Sequence, residues 1–447
     1  MSFRENLIKA RSHIIFLVAL GVGLGLVTTL ENTIAASPQT DQTMVQTGQA
    51  ASMAAFDAVS PLPLAIVGES SAEDLAHARI AWRYFQNNTN PKTGLANSVD
   101  GYPSTTMWET GSYFVAVVSA DLLGIIEPFE ARARITLALD TLGKVRLFDD
   151  ILPNKAYHVE TGELVDYSNK PVPRGLGWSA LDISRLIATL GQVEQLYPDL
   201  APNVAAVMKR WDLSKLVADG QLIGGNMIDG ELRSDQEGRV GYGQYAAKAM
   251  MLYGYDMYKA YNAAEHLMVR EVQGQPIPVD DRLHRNVTPA FAVSEPYVFD
   301  GLEFGFDARS HRFATAIYLA QEARYRETGL LTAVSESHLS EAPYFAYASV
   351  WGGGDAWAVM SFKGERLDSK RTLTTKTAFA WYALFGTDYA KELVATVAPL
   401  GDPERGWPEG IYEIDGSINT SVTTNTNAVI LAALAFRAHG PLIKAGQ

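Results

Sequence analysis

Acidic side chains close to aromatic residues are the part of this sequence best suited to chemistry. Glu336 is set between Ser335 and Ser337, just beyond an apolar run, and an aromatic segment that includes Tyr344 follows it. A predicted helix ends at Gly329, so Glu336 lies on a connection between elements, where binding and catalytic groups are frequent. The alternative interpretation is an ordinary solvated loop acid.

Several other acids lie beside aromatic residues or at predicted helix starts: Glu109, Asp182, Glu231, Glu295, Asp300 and Glu409. Glycoside hydrolysis uses two carboxyl groups, one to protonate the leaving oxygen and one to attack or to activate water. Aromatic faces nearby can pack on sugar rings. The combination of acids and aromatic residues therefore indicates carbohydrate chemistry.

Glu109 and Asp182 also have a structural interpretation. Thr106-x-x-Glu109 and Ser179-x-x-Asp182 both fit the capping-box pattern, in which the acid reaches back to the free amide groups of a helix start. If the helices close into a ring, their N-termini also point into its opening, so one carboxylate can serve both purposes.

The sequence lacks the patterns of several other site classes. Its 8 His residues show no H-x-x-x-H spacing and Cys is absent, so neither a transition-metal site nor thiol chemistry is predicted. The glycines at 352–354 lack the Lys-Ser/Thr of a P-loop and the Rossmann spacing, which favours a flexible turn. Residues 229–237 are rich in acids but miss the spacing of a calcium loop. We therefore predict no cofactor and no metal.

Composition limits the partners. The 447 residues are 47% hydrophobic, which is enough for a large core in one or two domains. The net charge of -13 argues against a nucleic-acid partner, which would require a basic face. Such a protein suits an uncharged substrate.

The N-terminal segment has the pattern of an export signal. Arg4, Lys9 and Arg11 precede an apolar run at residues 14–27, and small residues follow at 35–37. The bulk of the protein is then predicted to be periplasmic or secreted. If residues 14–27 are retained, they would associate with the inner membrane as an anchor.

Beyond this signal, apolar residues recur mainly at helical spacing. Helices are predicted from Ser71 and at 106–124, 129–145, 179–196, 201–217, 241–260, 311–328, 375–385, 388–398 and 425–438. Little period-two alternation is visible, so an all-α class is expected. Helical hairpins that close into a toroid would gather the long loops at one end. The predicted domains are a signal peptide or N-terminal membrane anchor at 1–36, a linker at 37–69 and a helical toroid domain at 70–440.

The order of motifs resembles the glycoamylase-like and DUF3131 proteins, a group that includes endo-β-1,2-glucanases with an (α/α)6 toroid. Residues 90–95 (NPKTGL) match an opening segment of that group, and residues 179–182 are similar to its STID stretch, whose Asp faces the cleft. Residues 314–339 resemble its region ending in GISES, which places Glu336 on the acidic position of the family. Residues 406–413 resemble a late GFYE loop. The resemblance covers about residues 77–437.

Two acids usual in related glucanases are missing. One precedes the Ser of the STID stretch by two residues, where this chain has Gly177, and the other follows in a GY-x-E segment, where this chain has Gln244. Glu231, Asp235 or Glu237 could replace one of these acids. Otherwise the linkage and mechanism differ, or the protein binds glycans without cleaving them.

These observations lead to a hypothesis of an exported glycoside hydrolase that acts on an extracellular or periplasmic polysaccharide, such as a β-glucan. The predicted catalytic residues are Glu336 and Asp182, followed by Glu109 and Glu231. The predicted sugar-binding residues are Trp108, Trp178, Tyr344, Trp351, Trp407 and Glu409. The alternatives are a non-catalytic glycan-binding or scaffold subunit of a polysaccharide synthesis or export system, and a sugar epimerase that uses His158 and His338.

Overall fold

The described part of the chain is built mainly from α-helices. The structure is a computed structural model that describes residues 52–284 and 288–443. The chain divides into a unit of residues 1–52 and a unit of residues 53–447, and the second contains all the elements named below. Its helices are α1 (Ala72–Asn88), α2 (Met107–Leu122), α3 (Pro128–Leu142), α4 (Ala180–Leu196), α5 (Ala201–Met208), α6 (Tyr242–Met251), α7 (Tyr258–Asn262), α8 (Glu295–Phe299), α9 (Ala308–Thr328), α10 (Thr375–Phe385), α11 (Asp388–Val397) and α12 (Thr424–His439).

The even-numbered helices form a closed inner ring. Each of them contacts the next even-numbered helix, and α12 contacts α2. Each odd-numbered helix contacts the even-numbered helix that follows or precedes it in the chain, so the odd-numbered helices form an outer layer. The alternation of outer and inner helices is the arrangement expected of helical hairpins in a toroid.

The pattern of buried residues differs between the inner ring and the outer layer. In α2 every residue from Glu109 to Ala120 is buried, because helices surround it on several sides. In α1 the buried residues recur at three- and four-residue spacing, for example Ala78, Ala81 and Phe85, so only one stripe faces the core. The sequences of inner helices are therefore apolar over most positions, whereas those of outer helices have a single apolar stripe.

Short strands connect the helices, and all of them pair antiparallel. They are β1 (Ser104–Thr106), β2 (Ala156–His158), β3 (Val217–Ala218), β4 (Gln221–Ile228), β5 (Glu231–Glu237), β6 (Leu267–Val272), β7 (Gln275–Asp280), β8 (Leu283–His284), β9 (Thr288–Pro289), β10 (Glu336–His338), β11 (Phe345–Ala348), β12 (Trp351–Gly352), β13 (Asp355–Ala356), β14 (Val359–Met360), β15 (Thr372–Thr374), β16 (Pro408–Tyr412) and β17 (Ile418–Val422). The predicted helical architecture is confirmed, but the all-α class is not. Most strands are too short for period-two alternation to be visible in the sequence.

Two predicted helices are shorter than expected. The helix predicted at 201–217 ends at Met208, and the one predicted at 241–260 is divided into α6 and α7. Gly254 lies between α6 and α7 with a φ of 83°, a left-handed conformation that interrupts a helix. Helix α8 was not predicted, because its five residues contain Pro296 and are continued by a π-helical turn at Asp300–Phe304.

The segment before α1 lies against the helices. The backbone N–H of Ala65 donates to the carbonyl of Leu384 at 2.7 Å, and that of Gly68 donates to the carbonyl of Arg437 at 2.9 Å. Phe56 is 1% exposed and its ring centre is 4.4 Å from that of Phe313. The described part of the predicted linker is therefore bound to the ring.

The predicted signal peptide or anchor at 1–36, including the apolar run at 14–27, lies outside the described residues. No helix within residues 52–284 and 288–443 combines the length and the apolar character needed to cross a membrane. The prediction of an export signal rests on the sequence alone.

Candidate active site

The first turns of the inner helices meet at one end of the ring and carry polar side chains. These residues are Glu109 on α2, Asp182 on α4, Tyr242 on α6, Glu295 on α8, Lys376 on α10 and Asn425 on α12. Asn425 Nδ2 donates to both carboxyl oxygens of Glu295, at 3.0 and 3.1 Å. Lys376 forms an ion pair with Glu295. Ring closure therefore brings together residues that are far apart in the sequence.

Glu336 joins this group from outside the ring, on strand β10. The Tyr242 hydroxyl donates a hydrogen bond to Glu336 Oε1, while Oε2 is buried without a hydrogen-bond partner in the described structure. Burial and the negative charge of Glu295 raise the pKa of Glu336 to about 8, although Lys376 opposes the shift. Glu336 is therefore expected to keep its proton to higher pH than an ordinary carboxyl group.

Glu109 has the same electrostatic character. Its backbone N–H donates to Thr106 Oγ1 at 3.2 Å, so Thr106 is the N-cap of α2. The Glu109 carboxyl is buried, and its Oε2 has no hydrogen-bond partner among the described residues. Burial and Glu295 raise the pKa of Glu109 to about 8, against the opposing charges of Lys376 and Arg185. The helix start is thus capped by Thr106, and the carboxyl of Glu109 remains available for another role.

Glu409 is the fourth carboxyl group in this region, and it is buried. It lies on β16, and its Oε1 accepts hydrogen bonds from Thr423 Oγ1 at 2.6 Å and from Thr426 Oγ1 at 2.8 Å. Burial raises the pKa of Glu409, and Lys376 opposes this shift. The hydroxyl donors hold Glu409 in place, so its position is fixed by α12.

One buried lysine faces four carboxyl groups. The pKa of Lys376 is raised, because Glu295, Glu409 and Glu336 favour its charged form over the opposing effect of burial. The side chains of Lys376 and Glu295 are 3% and 2% exposed, so their attraction is weakly screened by water. One cation cannot neutralise four carboxylates, and protonation of Glu109 and Glu336 reduces the imbalance. The cluster can hold protons at neutral pH that ordinary carboxyl groups release.

A second buried ion pair lies under the cluster. Arg185 on α4 is 0% exposed and donates to Glu303 Oε1 at 2.8 Å and to the Tyr245 hydroxyl at 2.9 Å. Its guanidinium carbon lies 3.9 Å from the ring centre of Phe299 and 5.0 Å from that of Trp108. Glu303 belongs to the π-helical turn after α8, a geometry that is frequent at functional sites. This ion pair packs below the buried carboxyl cluster, and its guanidinium group holds the indole of Trp108 in place.

Asp182 occupies on α4 the position that Glu109 occupies on α2. Its backbone N–H donates to Ser179 Oγ at 3.1 Å, as the capping pattern predicts. Glu237 also caps this helix, because its Oε2 accepts from the Ala180 N–H at 2.5 Å. Asp182 is partly exposed at the same end of the ring as the buried carboxyls. Its partnership with Glu336 as acid and base stays a prediction.

Two of the predicted sugar-binding residues, Trp407 and Trp178, are buried in the core instead. Trp407 is 0% exposed, and its indole N–H donates to the carbonyl of His77 at 3.2 Å. Trp178 is 3% exposed and donates to the carbonyl of Ile223 at 3.0 Å. Neither ring face can reach a ligand, so the sequence-based expectation for these two residues is wrong. Tryptophan serves packing as readily as binding, and only the tertiary structure distinguishes the two.

The remaining predicted residues lie in different surroundings. Glu231 is exposed at the turn between β4 and β5, outside the buried carboxyl cluster, and its catalytic role stays a prediction. Tyr344 is 65% exposed on the loop between β10 and β11. Trp351 is partly exposed on β12, with the guanidinium carbon of Arg270 at 5.6 Å from its ring centre. Contacts of Tyr344 and Trp351 with a sugar stay predictions.

Tyr242, Lys376 and Asn425 were not predicted as site residues. A lysine inside an otherwise apolar helix is the available signal for Lys376, because an unpaired buried charge is costly. Tyr242 and Asn425 carry no such signal. Their roles depend on contacts with Glu336 and Glu295, which lie on other elements.

The structure explains why two positions lack the acids usual in related glucanases. A Cβ atom at Gly177 would lie 2.2 Å from the carbonyl oxygen of Gly225, and Gly177 has a φ of 103°. Gln244 accepts a hydrogen bond from the Gly241 N–H at 2.7 Å and donates to the Ala260 carbonyl at 2.7 Å. A carboxylate could not make the second bond. Both residues therefore have structural roles.

Gly177→Ala is expected to lower the free energy of unfolding by about 2 kcal/mol or more, through left-handed strain and the clash with Gly225. Gly101→Ala is the matched control, because Gly101 has a φ of 69° and a Cβ atom added there would have no neighbour within 4 Å. Chemical denaturation of both variants measures the difference. Equal losses in the two variants would show that the contact with Gly225 has no energetic importance.

A family model described as "Protein of unknown function (DUF3131)" matches residues 76–440, which confirms the resemblance seen in the motifs. The comparison with curated proteins gives no match. An endo-β-1,2-glucanase from Chitinophaga pinensis, in complex with sophorotriose and glucose, is similar with a TM-score of 0.62 and 11% identity, over 83% of this chain and 93% of that chain.

Two further solved structures share the fold. An endo-β-1,2-glucanase mutant from Talaromyces funiculosus, in complex with β-1,2-glucan, has a TM-score of 0.54 and 13% identity, over 83% of this chain and 84% of that chain. A candidate glucoamylase from Bacteroides caccae has a TM-score of 0.58 and 15% identity, over 83% of this chain and 94% of that chain. At these identities the likeness shows the fold alone.

Proposed function

The chain belongs to the DUF3131 family, and we propose that it is an exported glycoside hydrolase that cleaves a β-glucan at the open end of an (α/α)6 toroid. One observation carries the proposal. Glu336 and Glu109 have pKa values of about 8 and buried carboxyl oxygens without hydrogen-bond partners among the described residues, at the end of the ring where the helix starts meet. Carboxyl groups that stay protonated at neutral pH are suited to donate a proton to a leaving oxygen.

Glu336 is the proposed general acid. The hydroxyl of Tyr242 fixes Oε1, which leaves Oε2 to carry the proton to the glycosidic oxygen as the C–O bond breaks. Asp182 is the proposed second carboxylate, because it is partly exposed at the same end of the ring. It either takes the proton of the attacking water or attacks the anomeric carbon itself. The anomeric form of the first product, read by NMR, distinguishes these two routes.

The substrate class is proposed from the fold relatives and from charge. Endo-β-1,2-glucanases from Chitinophaga pinensis and Talaromyces funiculosus share the fold. The cluster has four carboxyl groups and one lysine, which disfavours a polyanionic glycan. We extend the proposal to export through the apolar run at 14–27, with the catalytic domain in the periplasm or outside the cell.

The direct test is incubation of the purified protein with linear β-1,2-, β-1,3- and β-1,4-glucans and with an anionic polysaccharide. New reducing ends from a neutral glucan support the proposal. Product from the anionic polysaccharide alone would contradict the substrate class. Binding of a glucan without any product would favour the non-catalytic alternative.

That alternative, a glycan-binding or scaffold subunit, is favoured by one observation. Gly177 and Gln244 stand where related glucanases usually have acids, and both have structural roles that exclude a carboxylate. Glycan binding without cleavage would need the ring opening but not the protons on Glu336 and Glu109. The reducing-end measurement separates these two functions.

Hydrolysis is expected to decline as the pH rises through about 8, because Glu336 acts only while it carries a proton and its pKa is raised to about 8. The hydrogen bond from Tyr242 lowers the pKa of Glu336. Its loss in Tyr242→Phe should therefore move the decline in kcat/KM to higher pH. Profiles of kcat/KM between pH 4 and 10 measure both effects. A decline near pH 5 in the wild type would rule out Glu336 as the acid.

A further inference from the structure

One face of the β10–β11–β14 sheet extends the site beyond Glu336. In the antiparallel pairing of β10 with β11, Glu336 lies opposite Tyr347, and His338 lies opposite Phe345. Alternate residues of a strand point to opposite faces, so these four side chains share one face of the sheet. They are partly exposed, whereas the intervening residues of both strands are buried.

Phe291 adds a fourth ring to this face. Its ring stacks on that of Tyr347 with centres 4.4 Å apart and planes inclined by 10°. Phe345 meets Tyr347 edge to face at 5.3 Å, and His338 meets Phe345 in the same way at 5.1 Å. We name Phe291, Tyr347, Phe345 and His338 the aromatic row. Aromatic contacts of this kind hold the rings rigidly before any ligand arrives.

The aromatic row is uncharged at neutral pH. Burial and the positive charge of Lys376 lower the pKa of His338 to about 4, so its imidazole is neutral. The other three rings carry no carboxylate or ammonium group. A partly exposed row of uncharged rings beside a carboxyl group is typical of sites that bind the apolar faces of sugars.

The row is continuous with the candidate active site. Directly opposite residues in an antiparallel pair have Cβ atoms about 5 Å apart, so Tyr347 borders Glu336. Glu336 is also bound by Tyr242, whose ring centre is 5.5 Å from that of Trp108. Glu336 is therefore adjacent both to the helix ring and to the aromatic row.

We infer that the aromatic row is a binding subsite for an uncharged sugar residue, next to the residue whose bond Glu336 cleaves. This inference rests on the proposed function. A glycan chain bound there extends past Glu336 in the direction of Phe345. The row thereby favours cleavage within a chain over removal of a single terminal sugar.

The test is calorimetric titration with linear β-1,2-gluco-oligosaccharides, with Glu336→Gln as the parent so that the ligand is not consumed. Tyr347→Leu and Phe291→Leu in this parent are expected to raise Kd about tenfold each. Tyr347→Phe keeps the ring and should stay within about twofold of the parent. Phe129→Leu is the matched control, because Phe129 is 74% exposed on the outer helix α3.

The outcomes separate the subsite from the activity. If the parent binds and both leucine variants bind within about twofold of it, the subsite is wrong while the hydrolase proposal stands. If Glu336→Gln retains full hydrolysis, the acid assignment fails, and a rise in KM in the two leucine variants then supports the subsite. If the wild type neither binds nor cleaves any neutral glucan, both are wrong. Melting curves show whether each variant is folded. If Tyr347→Leu does not fold, Phe291→Leu still tests the subsite.

Discussion

Glu336→Gln is expected to lower kcat on a β-glucan about 10³-fold, with little change in the affinity for substrate. Glutamine keeps the shape of the side chain and can still accept the hydrogen bond from Tyr242, but it cannot release a proton to the leaving oxygen. The loss corresponds to about 4 kcal/mol of transition-state stabilisation. Initial rates of reducing-end release over a range of substrate concentrations give kcat and KM separately.

Glu271→Gln is the matched control for this variant. Glu271 is exposed on β6 and does not belong to the buried carboxyl cluster, so the rate of this variant should equal that of the wild type. Glu109→Gln is a second informative variant, because Glu109 has an equally raised pKa. If Glu109→Gln abolishes turnover while Glu336→Gln retains it, the acid is Glu109 and the role of Glu336 is structural. Full activity in both variants would contradict carboxyl acid catalysis in this cluster.

Lys376→Met is expected to lower the free energy of unfolding by about 3–5 kcal/mol, the usual effect of removing one member of a buried ion pair. Glu295 would keep its hydrogen bonds from Asn425 but lose the only buried cation among the described residues that pairs with it. Loss of this positive charge also raises the pKa of Glu336 and Glu109 further. Chemical denaturation monitored by tryptophan fluorescence measures the change in stability.

A surface lysine provides the comparison for this variant. Lys391 pairs with Asp388 at 2.9 Å on the outer helix α11, and its side chain is 58% exposed. Lys391→Met should cost less than about 1 kcal/mol, because exposed ion pairs are screened by water. The double variant Lys376→Met with Glu295→Gln is expected to recover part of the lost stability. If Lys376→Met and Lys391→Met have the same stability, the buried pair is not the stabilising element that its burial implies.

Much of the helical architecture could be predicted from local pattern. Helix α10 begins and ends where the apolar periodicity predicted, and α4 and α9 differ from prediction by only a few residues. Helix α8 could not be found in this way, since five residues and a π-helical turn do not display a period. Most of the strands were missed for the same reason. Short elements depend on partners that are distant in the sequence.

Only part of the site could be predicted from the sequence. Glu336 and Glu109 were identified from residue type and neighbours, and both belong to the buried cluster. Trp407 and Trp178 had similar neighbourhoods, yet both rings are enclosed by the core. Tyr347 lies in the same aromatic segment as Tyr344, and only its pairing opposite Glu336 distinguishes it. Residue type identified candidates, and the fold determined which of them belong to the buried cluster.

The family, the helical periodicity and the acids beside aromatic residues follow from the order of the amino acids. The shared field of Glu295 and Lys376 at Glu336 and Glu109, and the rise of both pKa values to about 8, follow only from the folded chain. Periodicity is a local property of the chain. Burial and electrostatic interaction depend instead on distances in space, and these are set only when the six inner helices close their ring.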